Sequence, residues 1–198
     1  MQFHFKRGLD IPMAGPPRAD VHAKPVASVA LLPGDYPGIK PVLRVEEGER
    51  VSLGQPLFED RIDPRLRFVA PGAGLVSAIH RGAKRVLRAV VITLDGTAEV
   101  EFPPVPRERL AALTRDEVRQ RLLDAGLWTA LRSRPYGRVP GPDAVPHALF
   151  VTAMDTSPLA ADPRTMIGEY GEDFADGVVA LAALLAGDVY VCCAPGTA

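Results

Sequence analysis

Between residues 43 and 94 the apolar positions recur in short alternating runs, and the runs fall into two matching halves. In the first half, residues 45–58 (VEEGERVSLGQPLF), the spacing places Val51, Leu53 and Leu57 on one side, with Glu49, Ser52 and Gln55 outside or in turns. The second half, residues 68–79 (FVAPGAGLVSAI), repeats the arrangement: an apolar run, a glycine turn, then alternation resuming at Val76 and Ala78 and continuing through residues 85–94. Period-two runs broken by Gly and Pro predict many short strands around a small core. Two similar halves predict a pseudo-symmetric sandwich in which each covers the other's apolar face.

The pairing of EGERVSLGQPLF with APGAGLVSAI resembles the barrel-sandwich hybrid fold of biotinyl and lipoyl carrier domains. Those carriers attach their cofactor to a lysine at the hairpin tip between the halves. Here that hairpin, residues 59–67 (EDRIDPRLR), holds no lysine. Arginine keeps its charge and offers no amine to acylate. The resemblance therefore implies the carrier fold without the carrier function.

Before this region, residues 3–5 alternate and residues 8–17 are broken by Gly and Pro, which reads as a short strand and an extended arm. Residues 28–32 (SVALL) read as a strand. The loop that follows, residues 33–41 (PGDYPGIKP), is stiffened by prolines. Its carboxylate, aromatic ring and amine (Asp35, Tyr36 and Lys40) make it either a small-molecule contact or a connection into the sandwich. Residues 80–85 (HRGAKR) form a basic turn that could hold an anion or a partner's acidic surface, or remain solvated.

After the proline break at 100–106 the period changes from two to that of a helix. Thr114 and Glu117 form a capping box, Val118, Leu122 and Leu123 a buried stripe, and Gly126 a stop. Residues 127–140 carry the one tryptophan, a tyrosine and several arginines, the stretch best equipped for recognition, although Trp128 alone reads as core. Residues 148–154 read as a strand, Asp162 with Pro163 as a helix start, and residues 189–193 as a second strand. A strand, a helical crossover and a strand make a parallel α/β unit. No glycine-rich phosphate loop follows the first strand, which argues against the usual nucleotide turn. Two parallel strands are too few for a finished domain, so the sequence reads as part of a longer protein. The expected domains are 1–105, an arm plus barrel-sandwich hybrid, and 106–198, the first part of a Rossmann-like α/β domain.

Composition adds exclusions. The 198 residues carry a net charge of −1, so nothing points to nucleic acid or acidic lipid. No apolar run approaches the roughly 20 residues that span a bilayer. The two cysteines, Cys192 and Cys193, are adjacent, and neighbours on a strand face opposite ways, which disfavours a disulfide between them. No Cys/His spacing supports zinc or an iron–sulfur cluster, and His4 and His22 lack nearby ligands.

Taken together, KRGLDIP (6–12), VALL (29–32), GIKP (38–41), the run at 45–58, RGAKRVL (81–87), RSRP (132–135), MDTSPLAADP (154–163) and VYVCCAPG (189–196) resemble the NqrA family of the Na+-translocating NADH:quinone oxidoreductase. The resemblance implies a peripheral subunit on the cytoplasmic side of a bacterial inner membrane. It implies partners among the complex's other subunits, membrane subunits included. It also implies a role with ubiquinone, no cofactor of its own, and NADH, flavins and iron on other subunits. The alternatives are a carrier, a purely structural docking subunit, and a related electron-transport subunit that docks NADH; the last needs cluster cysteines that this sequence lacks. A quinone headgroup needs an aromatic slot and donors for two carbonyl oxygens. Tyr36, Trp128 and Tyr136 are the expected slot, Lys40, Arg132 and Arg134 the expected donors, with Asp35 beside them. Neither stretch has enough of both, so the two are expected to act together.

Overall fold

A computed structural model describes residues 21–155, 157 and 159–194. The expected strand at 3–5, His4, the arm and the KRGLDIP run lie outside the described residues.

Two antiparallel sheets build the front half. One has the order β1-β7-β6-β3, from Ser28–Leu31 (β1), Leu87–Leu94 (β7), Gly74–Arg81 (β6) and Arg50–Val51 (β3). The other has the order β2-β4-β5, from Pro41–Leu43 (β2), Pro56–Asp60 (β4) and Arg67–Val69 (β5). The alternation works as the pattern predicts: Val51, Leu57, Phe68, Val76, Val90 and Ile92 all turn into the space between the sheets and are buried. Phe58 joins them from the opposite parity of β4, and its ring stacks on Phe68 at 4.8 Å.

Leu53 is the exception, being 42% exposed where the spacing placed it inward. A turn closed by Gln55 N–H donating to the Ser52 carbonyl breaks the alternation there. The Leu53 backbone pairs instead with the returning chain, through the Ala98 carbonyl and the Val100 N–H. A side chain on a turned residue no longer follows the strand's period.

The back half starts with α1 (Arg115–Asp124). The capping box forms as expected: Thr114 N–H donates to Glu117 at 2.8 Å, and Glu117 N–H donates to the Thr114 hydroxyl. Val118 and Leu123 are buried and Leu122 half-buried, and the helix stops at Gly126 in the left-handed region. Next come β8 (Leu149–Thr152), α2 (Pro163–Glu169), α3 (Gly171–Ala182) and β9 (Val189–Cys192). Asp162 caps α2 by accepting from the Arg164 N–H, with Pro163 in the first turn. Strands β8 and β9 pair in parallel, Leu149 opposite Val189 and Thr152 opposite Cys192. The chain thus combines a barrel-sandwich hybrid with an α/β unit. Both cysteines are free thiols.

The halves share one buried cluster, in which Leu113, Val118, Leu123 and Trp128 join Leu66 and Phe68. Polar links cross the same seam. Arg65, on the β4–β5 connection, holds Asp63 at 2.8 Å and reaches Asp143 at 2.7 Å. Within the back half, Arg115 of α1 donates to the carbonyls of Leu184 and Ala144. Among the described residues no helix is long and apolar enough to cross a membrane.

Candidate functional site

The loop after β1 begins with a short 3-10 turn at Pro33–Asp35, where Pro33 is buried and Asp35 exposed. That turn sets Tyr36 half-buried against the core, its ring meeting Phe68 edge-on at 4.6 Å. Phe68 in turn rests on Phe58, so Tyr36 stands at the outer end of a row of three rings. Such edge-to-face and stacked contacts fix ring orientation as well as burying area.

From the other half, Leu127–Ala130 forms a 3-10 turn after Gly126 and leads to Leu131 and Arg132. The Arg132 guanidinium lies 5.3 Å from the centre of the Tyr36 ring. It is held there by donating to the Leu131 carbonyl at 2.9 Å and to the Thr129 carbonyl. The next residues fold into a tight turn: Ser133 N–H donates to the Arg138 carbonyl and Gly137 N–H to the Ser133 carbonyl, both at 2.8 Å. The Arg134–Pro135 peptide is cis. Arg138 returns from this turn with its guanidinium 5.9 Å from the Tyr136 ring centre. It also passes close over Gly38, where an added Cβ would sit 3.4 Å from Arg138 Nε.

The two stretches therefore meet. Tyr36 touches Arg132, and Gly38 faces Arg138. Tyr136, 78% exposed, and Arg134 sit exposed on the turn. Asp35 and Lys40 stand exposed on either side of the loop, and the Lys40 backbone is tied down by donating to Asp60 at 2.8 Å. Trp128 is placed differently. It is 4% exposed, and its indole N–H donates to the Pro140 carbonyl at 2.8 Å, so it supports the shelf from beneath and presents no face to a ligand. Arg138 is the residue the sequence reasoning passed over. Its signal was weak: one more cation, two residues past an exposed tyrosine.

Chemically the shelf offers aromatic faces flanked by guanidinium donors, suited to a flat acceptor-bearing ligand or an anion. No group of three or more His, Cys, Asp or Glu able to hold a metal occurs among the described residues.

Comparison with known proteins adds the family. Residues 3–95 match the model of the NqrA N-terminal barrel-sandwich hybrid domain, and residues 113–198 that of the NqrA second alpha/beta domain. Curated relatives are described as the A subunit of Na(+)-translocating NADH-quinone reductase. The protein from Pseudomonas aeruginosa strain UCBPP-PA14 is 52% identical over 193 residues, 97% of this chain and 43% of the relative. The Neisseria gonorrhoeae strain NCCP11945 protein is 48% identical, with the same coverage of both chains. That from Histophilus somni strain 129Pt is 47% identical over 189 residues, 95% of this chain and 42% of the relative. The chain spans less than half the length of these relatives.

Proposed function

Because the chain belongs to the NqrA family, whose barrel-sandwich hybrid and second alpha/beta domains it carries, we propose that it acts within the NqrA component of a Na+-translocating NADH-quinone reductase. In this reading it is a peripheral subunit on the cytoplasmic side of the bacterial inner membrane and contributes to ubiquinone binding and to assembly. It holds no redox cofactor, while NADH, flavins and iron are handled by other subunits, membrane subunits included. The 198 residues alone are inactive as a reductase, and the two domains divide near residue 105.

The observation that carries the quinone part is the seating of Arg132 over Tyr36, which makes one surface of two stretches about a hundred residues apart. A headgroup laid beside Tyr36 and Tyr136 would meet donors from Arg132, Arg134 and Arg138, with Lys40 at the loop end. A hydrogen bond from a charged donor is worth about 1.5–3 kcal/mol, and its loss weakens binding roughly ten- to hundredfold. The test is Tyr36→Ala and Arg134→Ala in the full complex, with quinone affinity and assembly measured together. Weakened affinity in an assembled complex supports the reading. Normal affinity with intact assembly in both variants removes the site. Lost assembly favours a docking role, a reading consistent with how openly Tyr136 and Arg134 are displayed.

A further inference from the structure

On another side of the sandwich, a cleft of about 390 Å³ runs between β2 and the tip of the β6–β7 hairpin. Its apolar lining includes Val42, Leu43 and Leu87, and its cations are Lys40, Arg61, Arg81 and Arg85. Among the described residues, no carboxylate lines it. None of the four cations has an ion-pair partner among the described residues, whereas Arg44, just after β2, is paired with Glu59. Four like charges around one cleft repel each other, and no carboxylate among the described residues that line it offsets them.

Two further observations narrow the occupant. Among the described residues, strand β2 is the edge of its sheet, bonded to β4 on one side only. An edge strand beside a cleft is a template for one more strand. At the hairpin tip, Lys84 and Arg85 both hold positive φ, 54° and 59°, a conformation that glycine or asparagine adopts more easily. The tip carries two cations through backbone geometry that disfavours them.

We infer that this cleft receives an extended acidic segment of a partner polypeptide, added as a strand along β2. Its acidic side chains would meet Arg61, Arg81 and Arg85, and its alternate apolar side chains, on the opposite face, would meet Leu43 and Leu87, which pack with the core. Alternation along a strand delivers the two kinds of side chain to opposite faces, which suits a cleft with a cationic rim and an apolar lining. This inference is independent of the quinone reading, with which it shares only Lys40, and the variants below leave Lys40 in place.

The probe is a fluorescein-labelled heptapeptide of alternating glutamate and valine, titrated against the 198-residue chain by anisotropy. Three controls accompany it: a lysine–valine heptapeptide, the glutamate peptide N-methylated at alternate amides, and the double variant Arg81→Glu with Arg85→Glu. Both substitutions fall on the exposed hairpin tip, and an unchanged melting temperature confirms that the variant is folded. The glutamate peptide is expected to bind at least about tenfold more tightly than the lysine peptide and to weaken with salt. Charge reversal is expected to weaken it about tenfold or more, and N-methylation comparably. Unchanged binding to the folded double variant overturns the proposal, and unchanged binding of the N-methylated peptide overturns the strand pairing. Absence of peptide binding, with direct binding of inorganic pyrophosphate or of vesicles of phosphatidylcholine with phosphatidylglycerol, reassigns the cleft to a small anion or to a lipid surface and overturns it too.

Discussion

Gly126→Ala probes the joint between the two halves. Gly126 is buried just past the end of α1 with φ +70°, and a Cβ there would stand 2.6 Å from Val69 Cγ1 and 3.3 Å from the Arg67 carbonyl oxygen. Both neighbours belong to β5, and Val69 is β-branched, with little rotamer freedom to retreat. Two costs add. Holding alanine in the left-handed region costs about 1–2 kcal/mol, and forcing a methyl into a packed seam typically costs about 1–3 kcal/mol. The expected loss is about 2–5 kcal/mol, read as a fall in the urea midpoint at constant slope. Gly48→Ala separates the two costs, because Gly48 also has positive φ (+86°) but nothing within 4 Å of its added Cβ. It should lose the backbone part alone. If Gly126→Ala costs no more than Gly48→Ala, then α1 does not end against β5 as described and the shared core is refuted.

Thr114→Ala removes the cap of α1 and is expected to cost about 1 kcal/mol, measured by the same denaturation; no change would mean that the capping box contributes nothing. The hydrogen bonds from Arg65 hold Asp63 and Asp143 below the usual carboxylate range, and the Thr114 N–H does the same for Glu117. A carboxylate depressed in the folded state stabilises it above its unfolded pKa near 4, and that contribution disappears as pH falls through the folded value. Stability should therefore drop from about pH 4 downward, and Arg65→Ala should flatten the drop; an identical acid limb in the variant refutes the assignment. Expression with biotin and lipoate should leave the intact mass at the sequence value, because the 59–67 hairpin has no lysine; added mass would overturn this. Amide exchange should be faster in β8 and β9, a two-stranded sheet, than in the sandwich strands, and equal protection would contradict that ranking.

Much of the fold was legible because period-two burial, capping chemistry and proline at a helix start are local signals. Val51, Leu57, Val76, Thr114, Glu117 and Asp162 all behave as their neighbours in sequence dictate. Leu53 was misplaced because a turn, not a strand, governs it, and its true partner is the segment at 98–100, far along the chain. The site divides along the same line. That Tyr36 and Arg132 carry recognition chemistry is visible in the residues, but their contact depends on how α1 seats against β5, which no local pattern encodes. Trp128 illustrates the converse: its chemistry suited a ligand slot, yet an indole needs a buried face and one acceptor, and the Pro140 carbonyl supplies the acceptor inside the core. The cleft beside β2 was half legible, since the basic turn at 80–85 stands out in sequence while Lys40 and Arg61 reach it only through the sheet.

The joining of the two stretches into one quinone surface is tested most directly by a double-mutant cycle on Tyr36→Ala and Arg132→Ala in the assembled complex, with quinone affinity as the readout. Residues that serve one ligand through a shared contact are expected to be coupled by about 0.5 kcal/mol or more, with each single variant weakening binding by roughly tenfold. Affinity unchanged in both single variants, or losses that simply add in the double variant, would contradict the account.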